Sequence, residues 1–326
     1  MEQNSPERLK LALRILLILG MPIGFALAAD HFVSQANLYA MMQSFAFLGL
    51  LTLGLSVTMI AGEFDLSVAA VATVAGLITV KLGGDSALIG IGGAVAFGIA
   101  VGVANAALLP WLQVSSLVTT VGSMILLTGV AFWLAGGRVL SYDNFDVSDF
   151  LDQNVAGIFS IRSLITLGCY ILVAGLLHFT RIGREIYAAG GHRKAAIQSG
   201  ARVGPALTVS FMISGGLSAL GGSLLSLSLA TASATLSGNV LLQAASAAIV
   251  GGVALSGGIG TPIGVAIGVM ILTILNNGLG LLSASSTQIL LVNGAILLLV
   301  VLLDGRLGIS LARVLRLRER QVLTPS

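Results

Sequence analysis

Residues 38–61 read LYAMMQSFAFLGLLTLGLSVTMIA, an apolar run without one charged side chain. About 20 such residues are enough for an α-helix to cross the ~30 Å hydrocarbon core of a bilayer. The next residues, 62–68, read GEFDLSV, so two carboxylates interrupt the run before a second apolar stretch begins. Long apolar runs separated by short polar breaks predict a protein built of membrane-spanning helices.

The composition of the whole chain agrees with this pattern. Of its 326 residues, 56% are hydrophobic and 9% are charged, and the mean hydropathy is +1.02. Soluble domains carry about 25% charged residues, so a soluble enzyme and a nucleic-acid-binding protein are both excluded. The 42 glycines fit membrane helices that pack closely on one another.

Ten apolar stretches predict an all-α membrane protein with about ten transmembrane helices. They cover roughly residues 11–29, 38–61, 67–82, 86–109, 113–135, 161–180, 206–229, 240–256, 262–281 and 286–303. The third stretch is the shortest, and the short alternating segments of a membrane β-barrel are absent from the sequence.

The positions of the cations predict the orientation, because cytoplasmic loops of membrane proteins are enriched in Lys and Arg. Three cations lie before residue 15, five in the loop 181–205 and five in the tail 304–326, which makes thirteen of the sixteen in the chain. An even number of spans puts all three segments on one side. We therefore expect both termini in the cytoplasm and the loop 136–160 outside.

The two halves of the chain resemble each other weakly. A shift of 172 residues aligns Asn105 with Asn277 and Gly92 with Gly264. The chain is thus interpreted as one transmembrane domain, 1–326, with repeat one at about 11–135, the outside loop 136–160, repeat two at about 161–303 and a basic cytoplasmic tail 304–326. Five spans per repeat invert one repeat relative to the other, an arrangement common in transporters.

Three segments carry most of the polar or unusual residues. In the first, residues 61–68, Glu63 and Asp65 lie between two apolar runs. One interpretation is a polar turn at the level of the lipid headgroups. The other is a break between helices that lines a pathway, because ionisable residues at membrane depth tend to face water or a partner.

The second segment is the loop 180–202, in which cations alternate with small residues. It forms either a positive anchor on the cytoplasmic side or a short helix that enters a groove on a cytosolic partner. The third segment, residues 248–264, has six glycines, which favour close packing of helices or a flexible gate.

Catalytic patterns are absent from the sequence. None of the three lysines, Lys10, Lys81 and Lys194, belongs to a phosphate-binding G-x-x-x-x-G-K-[ST] loop, so we expect no ATP hydrolysis by this chain. The lone cysteine, Cys169, rules out a disulfide framework, and no metal site is expected. Polar residues within the apolar stretches are suited to hydrogen bonds between helices or, as a set, to binding a neutral polar solute. They are Asn105, Thr119, Thr120, Gln243, Asn277, Gln288 and Asn293.

The three segments, in this order, resemble the permease subunits of bacterial ABC importers for ribose, xylose, arabinose and related sugars. The family pattern G-G-I-D-L-S-V-G matches residues 62–68, and a late N-N-G-L matches 276–279. The central loop fits T-x-x-G-R-x-I-Y-A-x-G-G-N-x-x-A-A-x-x-S-G. The chain departs from the family at Glu63, Phe64 and Ala69, at His192 in place of Asn, and at Gln243 near a common acidic position.

This resemblance implies an ATPase-coupling loop and a substrate pathway. The coupling residues are Gly183, Arg184, Tyr187, Ala188, Gly190, Gly191, Ala195, Ala196 and Gly200. The pathway residues are Asp65, Ser67, Asn105, Gln243 and Asn277. The chain itself is expected to bind no cofactor, since ATP is used by partner subunits.

The resemblance also implies the partners: ATP-binding subunits, a periplasmic solute-binding protein, a second permease subunit (the same chain or a paralogue) and membrane lipid, but no nucleic acid. The location is the bacterial inner membrane, which the chain crosses several times. Two alternatives remain within transport. One is a branched-chain amino acid or nucleoside permease of the same superfamily, and the other is a secondary transporter that works alone.

Overall fold

A computed structural model describes residues 20–84, 86–112, 114–235 and 239–304. The cations before residue 15 and those of the basic tail, of which Arg306 is the first, lie outside the described residues, as does Asp85. The chain divides into two compact units, one formed by Met1–Asp30 with Ile274–Ser326 and the other by His31–Thr273.

The described residues are mostly helical. The helices are α1 (Met21–Ala28), α2 (Gln35–Ile60), α3 (Val68–Leu82), α4 (Ala87–Leu112), α5 (Ser116–Ala135), α6 (Phe145–Leu151), α7 (Ile161–Phe179), α8 (Arg181–Gly191), α9 (Arg193–Gln198), α10 (Val203–Ser228), α11 (Val240–Val250), α12 (Pro262–Leu281) and α13 (Ser286–Asp304). Two strands, β1 (Leu140–Ser141) and β2 (Thr231–Ala232), pair antiparallel. This small pair is an addition to the all-α prediction.

Six of the described helices are long and apolar enough to cross a membrane, judged by length and composition: α2, α4, α5, α7, α10 and α12. Helices α3 and α11, and the part of α13 from Ser286 to Leu298, are also apolar but have fewer than 18 residues. Every apolar stretch of the sequence contains a described helix, so the prediction of a helical membrane protein is confirmed at this coarser level.

Helix α10 lies at the centre of the larger unit and packs on α2, α3 and α4. Glycines allow its backbone to approach its neighbours: a Cβ on Gly98 of α4 would lie 2.3 Å from the carbonyl oxygen of Gly215, and one on Gly222 would lie 1.9 Å from that of Ala72 in α3. Small residues at helix contacts let membrane helices approach closely. Helix α2 is an interior helix, since 83% of its most apolar 18 residues are buried, against 22% for the corresponding residues of α4 and of α5.

The segment 136–160 is tied to the helices around it. Arg162, at the start of α7, donates from Nε to Asp152 Oδ1 at 2.7 Å, and Ser228, at the end of α10, donates to Asp152 Oδ2 at 2.6 Å. The Tyr142 hydroxyl donates to the carbonyl of Gly83 after α3. These bonds hold the connection between α5 and α7 against the ends of three helices.

In the smaller unit, an amide pair joins two helices. Asn293 of α13 donates from Nδ2 to Asn276 Oδ1 of α12 at 2.8 Å. Gly278 lies under the ring of Phe25 in α1, where a Cβ would come within 2.5 Å of the ring carbons. The polar pair gives the two apolar helices a fixed register.

Candidate functional site

Asp65 lies in the seven-residue break between α2 and α3 and is 1% exposed. Its Oδ1 accepts from the Ser67 hydroxyl at 2.6 Å and from the Ser67 N–H at 3.0 Å, while its Oδ2 accepts from Ser214 of α10 at 2.8 Å. Asn105 of α4 donates to the Ser67 hydroxyl at 3.0 Å and accepts from Ser123 of α5 at 2.5 Å. The donors therefore converge on the carboxylate, which links the break to α4, α5 and α10.

The backbone of the same break is held by the first turns of α5. Phe64 donates its N–H to the Ser116 hydroxyl at 3.1 Å. Leu66 donates its N–H to Thr120 Oγ1 at 3.1 Å, and that hydroxyl lies 3.1 Å from the carbonyl oxygen of Phe64. Backbone groups outside a helix must be satisfied elsewhere when they are buried, and here α5 supplies the partners. The segment 61–67 is consequently held in a defined conformation by hydrogen bonds to α5.

Backbones from the three sequence segments meet at one place, which we call the glycine junction: Gly62, Gly190, Gly257 and Gly258. A Cβ on Gly190 would lie 1.9 Å from the carbonyl oxygen of Ile60 and 2.6 Å from the N–H nitrogen of Gly258, and one on Gly257 would lie 2.7 Å from Gly62 Cα. The Gly258 N–H donates to the carbonyl of Ile60 at 2.8 Å. Such contacts leave no room for side chains.

Backbone conformation is a second reason why glycine occupies these positions. Gly62, Gly257 and Gly258 have φ angles of 82°, 82° and 74°, a region that glycine occupies without steric cost. The glycine-rich segment 248–264 therefore includes both tight turns and a packing surface.

Two side-chain contacts reinforce the glycine junction. Arg193 of α9 forms an ion pair with Glu63 and donates from its guanidinium to Glu63 Oε1. The Tyr187 hydroxyl of α8 donates to the carbonyl of Gly260 at 2.7 Å. Burial raises the pKa of the Tyr187 phenol above its usual value of 10.0, so the group remains a donor throughout the neutral range.

The central loop forms two short helices, α8 and α9, with an inner and an outer face. Five of the nine predicted coupling residues face inward. Gly183 of α8 and Ala196 of α9 are buried, and three residues of α8 are half-buried: Tyr187, Ala188 and Gly190. The other four, Arg184, Gly191, Ala195 and Gly200, are exposed. Ile197 is 58% exposed. The inner face holds the loop to its own subunit, and the outer face is available to a partner.

The predicted pathway residues fall into separate groups. Asp65, Ser67 and Asn105 are in one hydrogen-bonded network, and all three are buried. Gln243 is half-buried on α11 of the same unit, and among the described residues it makes no direct hydrogen bond to Asp65, Ser67 or Asn105. Asn277 belongs to α12 within the smaller unit. A pathway role for these five residues stays a prediction.

Several residues of the site were not selected from the sequence. Ser116 and Ser123 of α5 flank Thr120, which is among the polar residues named from the sequence, and the three recur at i, i+4 and i+7, which places them on one face of a helix. That spacing is a signal in the sequence. Ser214 is one of several serines in α10, and its distinction from the others depends on the position of Asp65, 149 residues away along the chain.

Comparison with known proteins matches residues 37–301 to the family model described as branched-chain amino acid transport system / permease component. The ribose import permease protein RbsC of Bacillus subtilis (strain 168) is 32% identical over 84% of this chain and 86% of its own length. The L-arabinose ABC transporter permease protein AraH of Azospirillum brasilense is 29% identical over 86% and 83%. The galactose/methyl galactoside import permease protein MglC of Escherichia coli (strain K12) is 36% identical over 64% of each chain. No solved structure matches the chain significantly.

Proposed function

The chain belongs to the branched-chain amino acid transport system / permease component family, and on that premise we propose that it is the transmembrane pore subunit of an ATP-driven importer for a monosaccharide. The observation that carries this proposal is the similarity to a ribose permease over more than four fifths of both chains, accompanied by arabinose and galactose permeases. The chain is a permease and not the enzyme of the complex. Hydrolysis of ATP belongs to separate subunits.

The proposed mechanism is alternating access, in which ATP binding and hydrolysis on the partner subunits change the population of inward-open and outward-open states. The central loop would receive that motion at its outer face, where Arg184, Ala195 and Ile197 are exposed. Its inner face contacts the break and the glycine-rich segment at the glycine junction. This continuity supports a coupling role for α8 and α9 over a role as a simple anchor.

The proposed complex contains ATP-binding subunits, a periplasmic solute-binding protein and a second permease subunit, either a copy of this chain or a paralogue. It lies in the bacterial inner membrane among lipid, and this chain binds neither a cofactor nor nucleic acid. Hydrogen bonds from amide and hydroxyl groups suit a neutral sugar. The pathway assignments of Asp65, Ser67, Asn105, Gln243 and Asn277 belong to this proposal.

We further propose the finer topology of one permease domain with ten spans, two inverted repeats at about 11–135 and 161–303, and both termini in the cytoplasm. Reporter fusions after residue 150 are expected to report the outside, and fusions after residue 195 or 320 the inside. An external C-terminus would overturn this topology. The expectation rests on the distribution of the sixteen cations along the chain.

The test of the function is uptake by a reconstituted complex. The permease is assembled in proteoliposomes with candidate ATPase and binding-protein subunits from the same organism, and ATP is enclosed on the cytoplasmic side. Labelled ribose, arabinose, galactose and leucine are then offered in parallel. We expect ATP-dependent uptake of a sugar. Uptake that proceeds without ATP would identify a secondary transporter and refute the proposal.

One second candidate has a specific observation in its favour. The family model is described by branched-chain amino acid transport, so leucine uptake is the outcome that would favour an amino acid permease. A zwitterionic solute favours a partner of each charge, whereas the five proposed pathway residues include one acid, Asp65, and no cation. We therefore expect leucine to remain outside in the same assay.

A further inference from the structure

The ion pair between Glu63 and Arg193 joins two segments that are 130 residues apart. The Glu63 side chain is 11% exposed and that of Arg193 is 46% exposed. A carboxylate that is largely removed from water is costly unless it is paired. The pattern G-G-I-D-L-S-V-G has a glycine at the position of Glu63, so the ion pair is a feature of this chain and not of the pattern.

We propose that Glu63 is a positioning residue, whose ion pair with Arg193 transmits movement of the central loop to the break between α2 and α3. This inference rests on the proposed function, because it assigns a route by which motion of the ATPase reaches the membrane part of the chain. The movement would reach Asp65, which lies two residues beyond Glu63 in the chain.

The direct contact between α8 and the break resists force in one direction only, because the hydrogen bonds of the junction run through the glycine-rich segment, from Tyr187 to Gly260 and from Gly258 to Ile60. Contact between Gly190 and the backbone of Ile60 and Ala61 resists compression, because overlapping atoms repel each other. The same contact offers little resistance when the two backbones separate, since dispersion between a few atoms is weak. Without the ion pair, a loop that moves away from the membrane would therefore pull on the break only indirectly, through the glycine-rich segment.

The ion pair supplies the missing direction. Among the described residues, it is the side-chain bond that runs directly from the loop 180–202 to the segment 61–67. A charge-assisted hydrogen bond is about twice as strong as a neutral one. Displacement of α9 away from α2 would thus draw Glu63 with it.

The break has little slack between Glu63 and Asp65. The Glu63 N–H donates to the carbonyl of Thr58 at 2.9 Å, and the next N–H, that of Phe64, is bound to Ser116. Asp65 is then fixed by Ser67 and Ser214. Movement of Glu63 consequently changes the geometry of the Asp65 network and of α5 together.

The test is a double-mutant cycle in the full transporter complex, with Glu63→Gln, Arg193→Gln and the combination of both. The measured quantity is the coupling ratio, defined as solute molecules imported per ATP hydrolysed by each assembled complex. Because Arg193 is partly exposed, we take the lower part of the coupling range for an ion pair, which corresponds to a factor of about two to ten. We expect each single variant to lower the coupling ratio by that factor and the double variant to lower it no further.

Lys194→Gln is the matched control, because it removes the adjacent cation of α9 and leaves the Glu63–Arg193 pair intact. Its coupling ratio is expected to equal that of the wild type. Loss of structure would reduce the amount of assembled complex without changing the ratio per complex, which separates a structural role from a positioning role. If Glu63→Gln assembles poorly, the more exposed Arg193→Gln provides the comparison with Lys194→Gln.

Equal coupling ratios in Arg193→Gln, Lys194→Gln and wild type would overturn the inference, as would additive losses in the double variant. Either result leaves the proposed function standing, provided that the wild-type complex imports sugar at the expense of ATP. A wild-type complex whose ATPase does not respond to loaded binding protein would instead refute the proposed function, and with it the inference that rests on it.

Discussion

Replacement of Gly190 by alanine is expected to destabilise the permease itself, before any partner is involved. The new Cβ would lie 1.9 Å from the carbonyl oxygen of Ile60 and 2.6 Å from the nitrogen of Gly258, whereas unstrained C···O contacts are about 3.3–3.6 Å. The backbones must move apart by more than an ångström. That movement breaks the 2.8 Å hydrogen bond from Gly258 to Ile60.

The magnitude follows from these two effects. Overpacking costs about 1–3 kcal/mol, and loss of the hydrogen bond costs about 0.5–1.5 kcal/mol. Alanine is better than glycine within a helix by about 0.5–1 kcal/mol, which offsets part of the loss. The free energy of unfolding should therefore fall by about 0.5–4 kcal/mol.

Gly191 is the matched control, because it follows Gly190 directly and a Cβ there would meet nothing within 4 Å. Gly191→Ala should leave the free energy of unfolding unchanged or raise it slightly. Both variants are purified alone in detergent and unfolded by denaturant and by heat, with wild type alongside. A Gly190→Ala variant as stable as Gly191→Ala would refute the close backbone contact on which the glycine junction depends.

Three further outcomes are expected. Ser214→Ala removes one donor from the buried carboxylate of Asp65, and the free energy of unfolding should fall by about 1–3 kcal/mol in the same detergent assay. Tyr187→Phe removes the bond to the Gly260 carbonyl and should cost about 0.5–1.5 kcal/mol. Because burial raises the folded-state pKa of this phenol above 10.0, its stabilising contribution should be complete below pH 10 and decline at higher pH. Ala195→Phe adds bulk on the outer face and should lower solute-stimulated ATPase activity while insertion of the permease stays normal.

Controls for these variants lie close to them in the chain. Ser210→Ala removes a hydroxyl that bonds within its own helix, to the carbonyl of Ala206, and should cost less than Ser214→Ala. Ala196→Phe adds the same bulk at a buried position and should reduce the stability of the isolated permease. Equal ATPase stimulation in Ala195→Phe and wild type would indicate that the loop 180–202 only anchors the chain on the cytoplasmic side. Equal stability of the two serine variants would refute the assigned role of Ser214.

The helices were predictable because length and apolarity are local properties of the sequence. Asp65 was also recognisable, since a carboxylate between two apolar runs is conspicuous. Its partners were less accessible: Ser214 is distinguished only by the close approach of α10 to the break, which a sequence does not display. The same holds for Arg193, whose charge first pointed to a general preference for the cytoplasmic side. In the folded chain Arg193 has a specific partner, Glu63.

The glycine junction also bears on how this chain can evolve. A mutation that enlarges one side chain in a core is often rescued by a second mutation that shortens its neighbour. At Gly190 and Gly258 the neighbours are main-chain atoms, and no substitution elsewhere removes a carbonyl oxygen. These positions should therefore reject replacement in any genetic background, while the Glu63–Arg193 pair can be exchanged for another complementary pair. Deep mutational libraries of a transporter with this junction should contain rescued double variants at the ion pair and none at the two glycines.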